Sequence, residues 1–199
     1  RERLQDSLRY VLDQSKKFIA IDKCSTDAFF SRLSNGPVPP QIFAIYYEIV
    51  LALKKDDIES ARLLFAELFS APMSALRMQI VSLQDPQRSS LSSRYVRFLD
   101  SDPTTPIELL PPPQALADSY GAQIEAALGL IERLAPELYG EMRALVGEII
   151  LAVDTGSENY FEYGGASSFM MWGALLMNAS NEHDLLGLVQ SLVHESAHT

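Results

Sequence analysis

Five residues near the end of the chain, His194-Glu195-Ser196-Ala197-His198, have the types and spacing that could do chemistry. On an α-helix, residues four apart project from one face and lie about 6 Å apart along the axis, so two imidazoles can reach one metal ion at about 2.0–2.1 Å. Glu195 lies about 100° further round, where it can act on a metal-bound water without being a ligand. This is the H-E-x-x-H spacing of metalloenzymes. It predicts a metal site with His194 and His198 as ligands and Glu195 as a catalytic residue.

The alternative is that the two histidines are incidental features of a non-catalytic helical binding domain. The chain has 3 His among 199 residues, and random placement would produce the five-residue pattern in about 0.3% of such chains, whereas the pattern has a known use in metalloenzymes. The metal site is therefore the interpretation we adopt. Metal analysis of the protein separates the two.

A complete site needs a further ligand. His183 precedes His194 by eleven residues, about 16.5 Å along one continuous helix, so we expect it not to join the same ion. An earlier carboxylate is one source of the ligand. Sequence beyond Thr199 is the source we favour, because the predicted helix reaches that residue without a capping signal. Since the chain does not begin with Met, we expect it to be part of a longer protein.

The motif helix has one apolar side that we expect to be buried beside a sheet, with the histidines at its edge. Ser180 or Asn181 is predicted to cap its first turn. The apolar residues recur at helical spacing: Leu185, Leu188, Val189, Leu192, Val193 and Ala197.

Residues 1–112 are predicted to be a helical region that includes a long irregular connection. Helical periodicity runs through 1–20, 25–33, 41–70 and from Pro72 to Leu83, with a break at NGPVPP, residues 35–40. Ser25 or Thr26 is expected to cap the second of these helices. Periodicity fades between 84 and 113, where Ser, Asp and Pro accumulate, which favours a loop.

Residues 113–199 are predicted to form an α+β region that carries the motif. Helical patterns at 113–135 and 136–145 precede two apolar runs, VGEIILAV and FMMWGALLMN, which indicate two or more strands between 146 and 178. We interpret Gly164-Gly165 as part of a hairpin. The predicted fold class is α+β, with a mainly helical N-terminal part and a small β-sheet packed against a C-terminal H-E-x-x-H helix.

Composition excludes several classes of partner. A formal charge of −10 and a pI near 4.7 disfavour binding to nucleic acid or anionic lipid. No apolar run reaches the roughly 18–20 residues that a membrane-spanning helix needs. The single cysteine, Cys24, cannot form an internal disulfide, which favours a reducing compartment. We therefore expect a cytoplasmic protein without a membrane or nucleic-acid partner.

The stretch GGASSFMMWGALLMNASNEHDLLGLVQSLVHESAHT, residues 164–199, resembles a family of H-E-x-x-H proteins found with biosynthetic clusters for ribosomally made, modified peptides. A Gly-rich strand region, a short connection and an LVHE-x-x-HT helix occur in the same order. The preceding IERLAPELYGEMRALVGEIILAV extends the resemblance to residues 131–199. The first half of the chain matches only loosely.

The resemblance implies an activity. Some members of that family are iron(II)- and 2-oxoglutarate-dependent hydroxylases that act at the β-carbon of residues in a precursor peptide. By this resemblance His194 and His198 would bind iron, with one more protein ligand and open positions for 2-oxoglutarate and O2, as in facial 2-His-1-carboxylate sites. Glu195 would then hydrogen-bond the site or position the substrate, because an oxygenase needs no base to activate water.

A hydroxylase of this kind also needs a basic side chain to hold the 2-oxoglutarate carboxylate. Arg94, Arg133 and Arg143 are available, and nothing in their spacing selects one. The anchor is left unassigned.

The main competing prediction is a zinc metallopeptidase. In it His194 and His198 hold zinc, a downstream residue completes the site, and Glu195 takes a proton from the zinc-bound water. In either enzyme an edge strand through 169–178 is expected to bind an extended peptide by main-chain hydrogen bonds. Both enzymes thus act on a peptide and differ in metal and chemistry.

Overall fold

The computed structural model describes residues 2–35, 38–73, 78–83, 89–99, 109–154, 164–180 and 184–199. The chain divides into two compact units, residues 1–76 and 77–199. The boundary predicted between 112 and 113 is thus placed too late. It lies earlier because residues 79–82 form a strand of the sheet in the second unit.

The first unit is helical. Its described elements are α1 (Glu2–Ser15), α2 (Lys23–Asn35), α3 (Pro40–Lys54) and α4 (Ile58–Ser70). Asp22 rather than Ser25 or Thr26 caps α2, since its carboxylate accepts the Ser25 N–H at 2.7 Å. Large apolar side chains from all four helices form its core: Leu8, Leu12, Phe29, Phe30, Leu33, Ile42, Ile45, Ile49, Phe65 and Leu68.

The second unit is a mixed sheet with helices, so the chain has an α+β fold, as predicted. Strands β1 (Gln79–Ser82), β2 (Glu148–Ala152), β3 (Gly165–Ser167) and β4 (Ala174–Asn178) lie in the order β1-β2-β4-β3. The β1-β2 and β2-β4 pairs are parallel, and β3 runs antiparallel to β4 at one edge. The described helices are α5 (Ser89–Leu99), α6 (Gln114–Leu134), α7 (Pro136–Leu145) and α8 (Leu185–Ser196).

Two predictions for the middle of the chain were wrong. The helix predicted from Pro72 to Leu83 is a strand over 79–82, because Ile80 and Val81 suit a pleated surface and pair in register with Ile149 and Ile150. The irregular connection predicted for 84–113 contains α5, whose Tyr95 and Phe98 are buried. In both segments the sequence pattern covers only a few residues, so it carries no information about pairing or packing partners that are distant in the chain.

The expected edge strand at 169–178 was also wrong. Residues Phe169–Met171 form a turn of 3-10 helix, and the strand starts at Ala174. Every residue of β4 is buried, as in β2, because both strands lie inside the sheet. The edge strands of the described sheet are instead β1 and β3.

The core of the second unit holds the motif helix against the sheet. Leu188 and Leu192 supply the buried side of α8, as the apolar spacing predicted. Leu185 and Ala197, predicted on the same side, are exposed because they lie at the two ends of the helix. They belong to one cluster with residues of α6 and of the sheet: Ala117, Ile124, Leu128, Ile149, Leu151, Leu175 and Met177. Within the described ranges, no helix has both the length and the apolar character to cross a bilayer.

Candidate metal centre

Helix α8 carries the motif and begins at a well-formed N-cap. The Asp184 carboxylate accepts the Gly187 N–H at 2.7 Å, so Asp184 caps the helix and not Ser180 or Asn181 as expected. The Ser180 N–H instead donates to Asn178 Oδ1 at 2.9 Å, which ends β4 in a local turn. His183 and Asn181 lie outside the described residues.

The backbone is more tightly wound at the C-terminal end of α8, where His198 lies. Ala197 donates its N–H to the carbonyls of both Val193 and His194, and His198 donates to the Glu195 carbonyl at 3.2 Å. These three-residue hydrogen bonds mark a 3-10 type last turn. His198 therefore lies just past α8 and still stacks one turn beyond His194.

The two imidazoles come together in a geometry that suits a shared ligand. The His194 and His198 ring centroids are 4.8 Å apart with an interplanar angle of 80°, and their Nε2 atoms are separated by 3.3 Å. Two nitrogens at about 2.0–2.1 Å from one tetrahedral ion lie about 3.3–3.4 Å apart. The observed separation thus fits two ligands of one ion, and the exposure of both rings leaves that ion accessible.

The same pair can be read as a hydrogen bond between a donating and an accepting imidazole. Its length, 3.3 Å, is just beyond the range of roughly 2.7–3.2 Å typical of N–H···O bonds. Such a bond also needs one imidazole to carry its proton on Nε2 while the other accepts through Nε2. Because both rings are exposed, water can satisfy their hydrogen-bonding groups equally well. The separation is therefore compatible with a long imidazole–imidazole hydrogen bond as well as with two ligands of one ion.

Among the described residues, the structure brings together two candidate ligands, His194 and His198. In the ranges that the structure describes, no group of three or more His, Cys, Asp or Glu side chains is placed to hold a metal. The sequence expectation that a further ligand comes from outside this segment stays a prediction.

Glu195 is partly buried and its side chain lies toward the sheet. Its side chain lies against Gly165 of β3: a Cβ built on that glycine would be 2.8 Å from Glu195 Cγ and 3.2 Å from Cδ. Burial raises the pKa of the Glu195 carboxyl, and the smaller electrostatic effects of His194 and His198 lower it without cancelling this shift. The carboxyl is thus half-buried between an edge strand and the histidine pair.

The three arginines considered as a 2-oxoglutarate anchor lie on three different helices. Arg94 is buried on α5, next to Tyr95, whose hydroxyl donates to the Glu148 carboxylate on β2. Arg133 is exposed at the end of α6. Arg143, on α7, is exposed, with its guanidinium 5.8 Å from the centre of the Tyr139 ring. The structure gives no ground for choosing among them.

Gly165 is the residue that sequence reasoning missed. The pair Gly164-Gly165 is predicted to be part of a hairpin, and Gly165 is indeed the first residue of β3, which pairs antiparallel with the next strand, β4, opposite Met177. A glycine within a strand often marks a close approach by another group. That signal was present in the sequence, but it could not identify Glu195 as the group.

No protein-family model matches the chain, and no curated protein matches it.

Proposed function

We propose that this protein is a metal-dependent enzyme that modifies a peptide, and that it is an iron(II)- and 2-oxoglutarate-dependent hydroxylase acting at the β-carbon of residues in a ribosomally made precursor peptide. The observation that carries the metal is the 3.3 Å separation of the Nε2 atoms of His194 and His198. Iron and 2-oxoglutarate are supported by the resemblance of residues 131–199 to the H-E-x-x-H peptide-modification family.

In this proposal the histidines hold the iron and the rest of the site orients the peptide. Bound iron(II) with 2-oxoglutarate supplies oxidation of a C–H bond by O2, coupled to conversion of 2-oxoglutarate to succinate and CO2. His194 and His198 present their Nε2 atoms on the exposed side of α8, where cosubstrates have access. Glu195 stands at the side of this pair next to β3, a position from which it can accept a hydrogen bond from a substrate amide.

The substrate is proposed to bind along β3. This strand is at the edge of the sheet and pairs on one side with β4, so an extended peptide can add to its other side at about 4.8 Å. Gly165 of β3 touches Glu195. A peptide paired there would therefore pass the carboxylate and the neighbouring histidines.

We further propose that the enzyme works in the cytoplasm. Its single cysteine, Cys24, is exposed and free, and a reducing compartment keeps such a thiol from oxidation.

A zinc metallopeptidase is the second candidate, and two observations favour it. The Nε2 separation of 3.3 Å matches the tetrahedral angle, whereas two nitrogens at right angles in a six-coordinate site at about 2.1 Å would lie about 3.0 Å apart. The position of Glu195, next to His194 in the chain and partly buried against β3, also suits a general base. Zinc would supply activation of water and polarisation of the scissile carbonyl.

One experiment tests both candidates. The full-length protein, purified without oxygen, is incubated with a library of extended 12-residue peptides under two conditions, iron(II) with 2-oxoglutarate and O2, or zinc alone. Mass spectrometry then looks for peptides that gain one oxygen atom with release of succinate, or for cleaved peptides. Oxygen gain only in the first condition supports the hydroxylase, cleavage in the second supports the peptidase, and neither product overturns both.

The matched control uses the third histidine of the chain. The double variant His194→Ala/His198→Ala should abolish product, while His183→Ala should retain it. Loss of activity in the His183 variant would show that the metal site includes a residue that we exclude.

A further inference from the structure

We propose that Gly165 is a positioning residue for Glu195: the missing side chain at this position of β3 creates the space that the glutamate occupies, and so holds its carboxyl beside the histidine pair. The packing relationship stands by itself. Only its catalytic consequence rests on the proposed function.

The first step is steric. A Cβ on Gly165 would lie 2.8 Å from Glu195 Cγ, and 3.1 Å from the Leu176 carbonyl oxygen on β4. Carbon atoms in proteins make favourable contacts at about 3.5–4.0 Å, so the first of these distances is a clash. The Leu176 oxygen belongs to the backbone of an inner strand, so its 3.1 Å contact stays tight whatever residue stands at 195. The closer contact, with Glu195 Cγ, is the one that a side-chain movement can relieve.

The backbone conformation at position 165 does not require glycine. Among the described glycines, the one with positive φ is Gly173, at 87°. Gly165 has ordinary strand pairing opposite Met177, a conformation that any residue adopts. It is therefore the space at this position that requires glycine.

Glu195 would lose its present position if its side chain moved. The side chain is now partly buried against β3, and Glu195 directly follows His194 in α8. A methyl group at 165 would push it away from β3. The carboxyl would then leave both the histidine pair and the strand along which we propose that substrate binds.

A double-mutant cycle tests the packing without any assumed activity. Gly165→Ala, Glu195→Ala and the double variant are unfolded with denaturant alongside the parent protein. We expect Gly165→Ala to lower the denaturation midpoint clearly in the parent, and by less than half as much when Glu195 is already Ala. Glu195→Gln keeps the Cγ and Cδ atoms, so Gly165→Ala should be as harmful in that background as in the parent.

Separate measurements of kcat and KM test the catalytic consequence. With the reaction identified above, Gly165→Ala should lower kcat at least tenfold while the protein still binds one equivalent of cobalt(II) per chain, because the histidines are untouched. Gly129→Ala, on a helix with open space around it, is the matched control and should leave kcat unchanged.

The outcomes are distinguishable. Equal midpoint losses for Gly165→Ala in the parent and in the Glu195→Ala background would overturn the steric relationship. A coupled cycle with parental kcat would overturn the positioning role. A parent protein that binds no metal would overturn the proposed function. The denaturation cycle would still decide whether Gly165 provides the space that Glu195 occupies.

Discussion

The Nε2 atoms of His194 and His198 face each other across 3.3 Å, although the planes of their rings are inclined at 80°. The backbone produces this approach. His194 lies in the last turn of α8, and the tightened turn that follows carries His198 into line above it. The spacing thus comes from the backbone of the helix and the turn that follows it.

Removing one imidazole should abolish stoichiometric metal binding. We expect His194→Ala to weaken the affinity for zinc, iron(II) or cobalt(II) at least about 100-fold, because losing a group that only orients a ligand already costs 10–100-fold. Metal content after dialysis and a cobalt titration measure this. His194 is exposed, so the free energy of unfolding of the metal-free protein should change by less than about 0.5 kcal/mol. Unchanged affinity in the double variant with His198→Ala would contradict the site.

Helix α8 shows which structural features the apolar periodicity of the sequence can predict. Apolar spacing predicted that Leu188 and Leu192 would be buried, and they are, because a helix against a sheet must bury one side whatever its partner. The N-cap was misplaced by a few residues. Asp184, Ser180 and Asn181 all have side chains that can cap, and the choice depends on where β4 ends, which local pattern does not determine.

The pH dependence of stability should report the environment of Glu195. Because burial raises its folded pKa above the ordinary value of 4.5, the folded state binds the proton more tightly than the unfolded state. Stability therefore decreases as the pH rises from 4.5 through the raised pKa, and this loss is complete above it. Glu195→Gln should escape the loss. Metal-free Glu195→Gln should be more stable than the parent at pH 7, with the difference vanishing below about pH 4.5. A difference that persists in acid would contradict the assignment.

The sheet was harder to predict than the helices. Strand β1 has four residues and β3 has three, lengths at which strand and helix patterns cannot be told apart. Their identity is decided by hydrogen-bond partners far along the chain, such as Ile149 opposite Ile80. The contact between Gly165 and Glu195 has the same origin. The sequence contains both residues, but only the folded structure shows that they lie next to each other.

Helical glycines offer a stabilising change that leaves the candidate site untouched. A Cβ added to Gly129 in α6 or to Gly140 in α7 would have no neighbouring atom within 4 Å, so Ala fits at both positions without a clash. Each substitution should raise the free energy of unfolding by about 0.5–1 kcal/mol, because Gly disfavours helix interiors relative to Ala. Denaturant unfolding measures the change. A loss of stability in either variant would mean that these positions contact something outside the described residues.

The buried hydroxyl of Tyr120 should be dispensable for folding. In the part of the chain that the structure describes, it has no hydrogen-bond partner, and burial raises the pKa of Tyr120 from 10.0 to about 12. Tyr120→Phe removes a polar group that was desolvated without compensation, so the free energy of unfolding at pH 7 should stay equal or rise by up to about 1 kcal/mol.

The alkaline limb gives Tyr120→Phe a second readout. Above pH 10 an unfolded tyrosine ionises while the buried one keeps its proton, so the folded parent holds more protons and loses stability as the pH rises toward 12. The Phe variant lacks this contribution, and its advantage over the parent should grow across that interval in denaturant titrations. A variant that is less stable than the parent both at pH 7 and between pH 10 and 12 would show that the hydroxyl has a stabilising partner. It would also mean that α6 is packed differently around this residue.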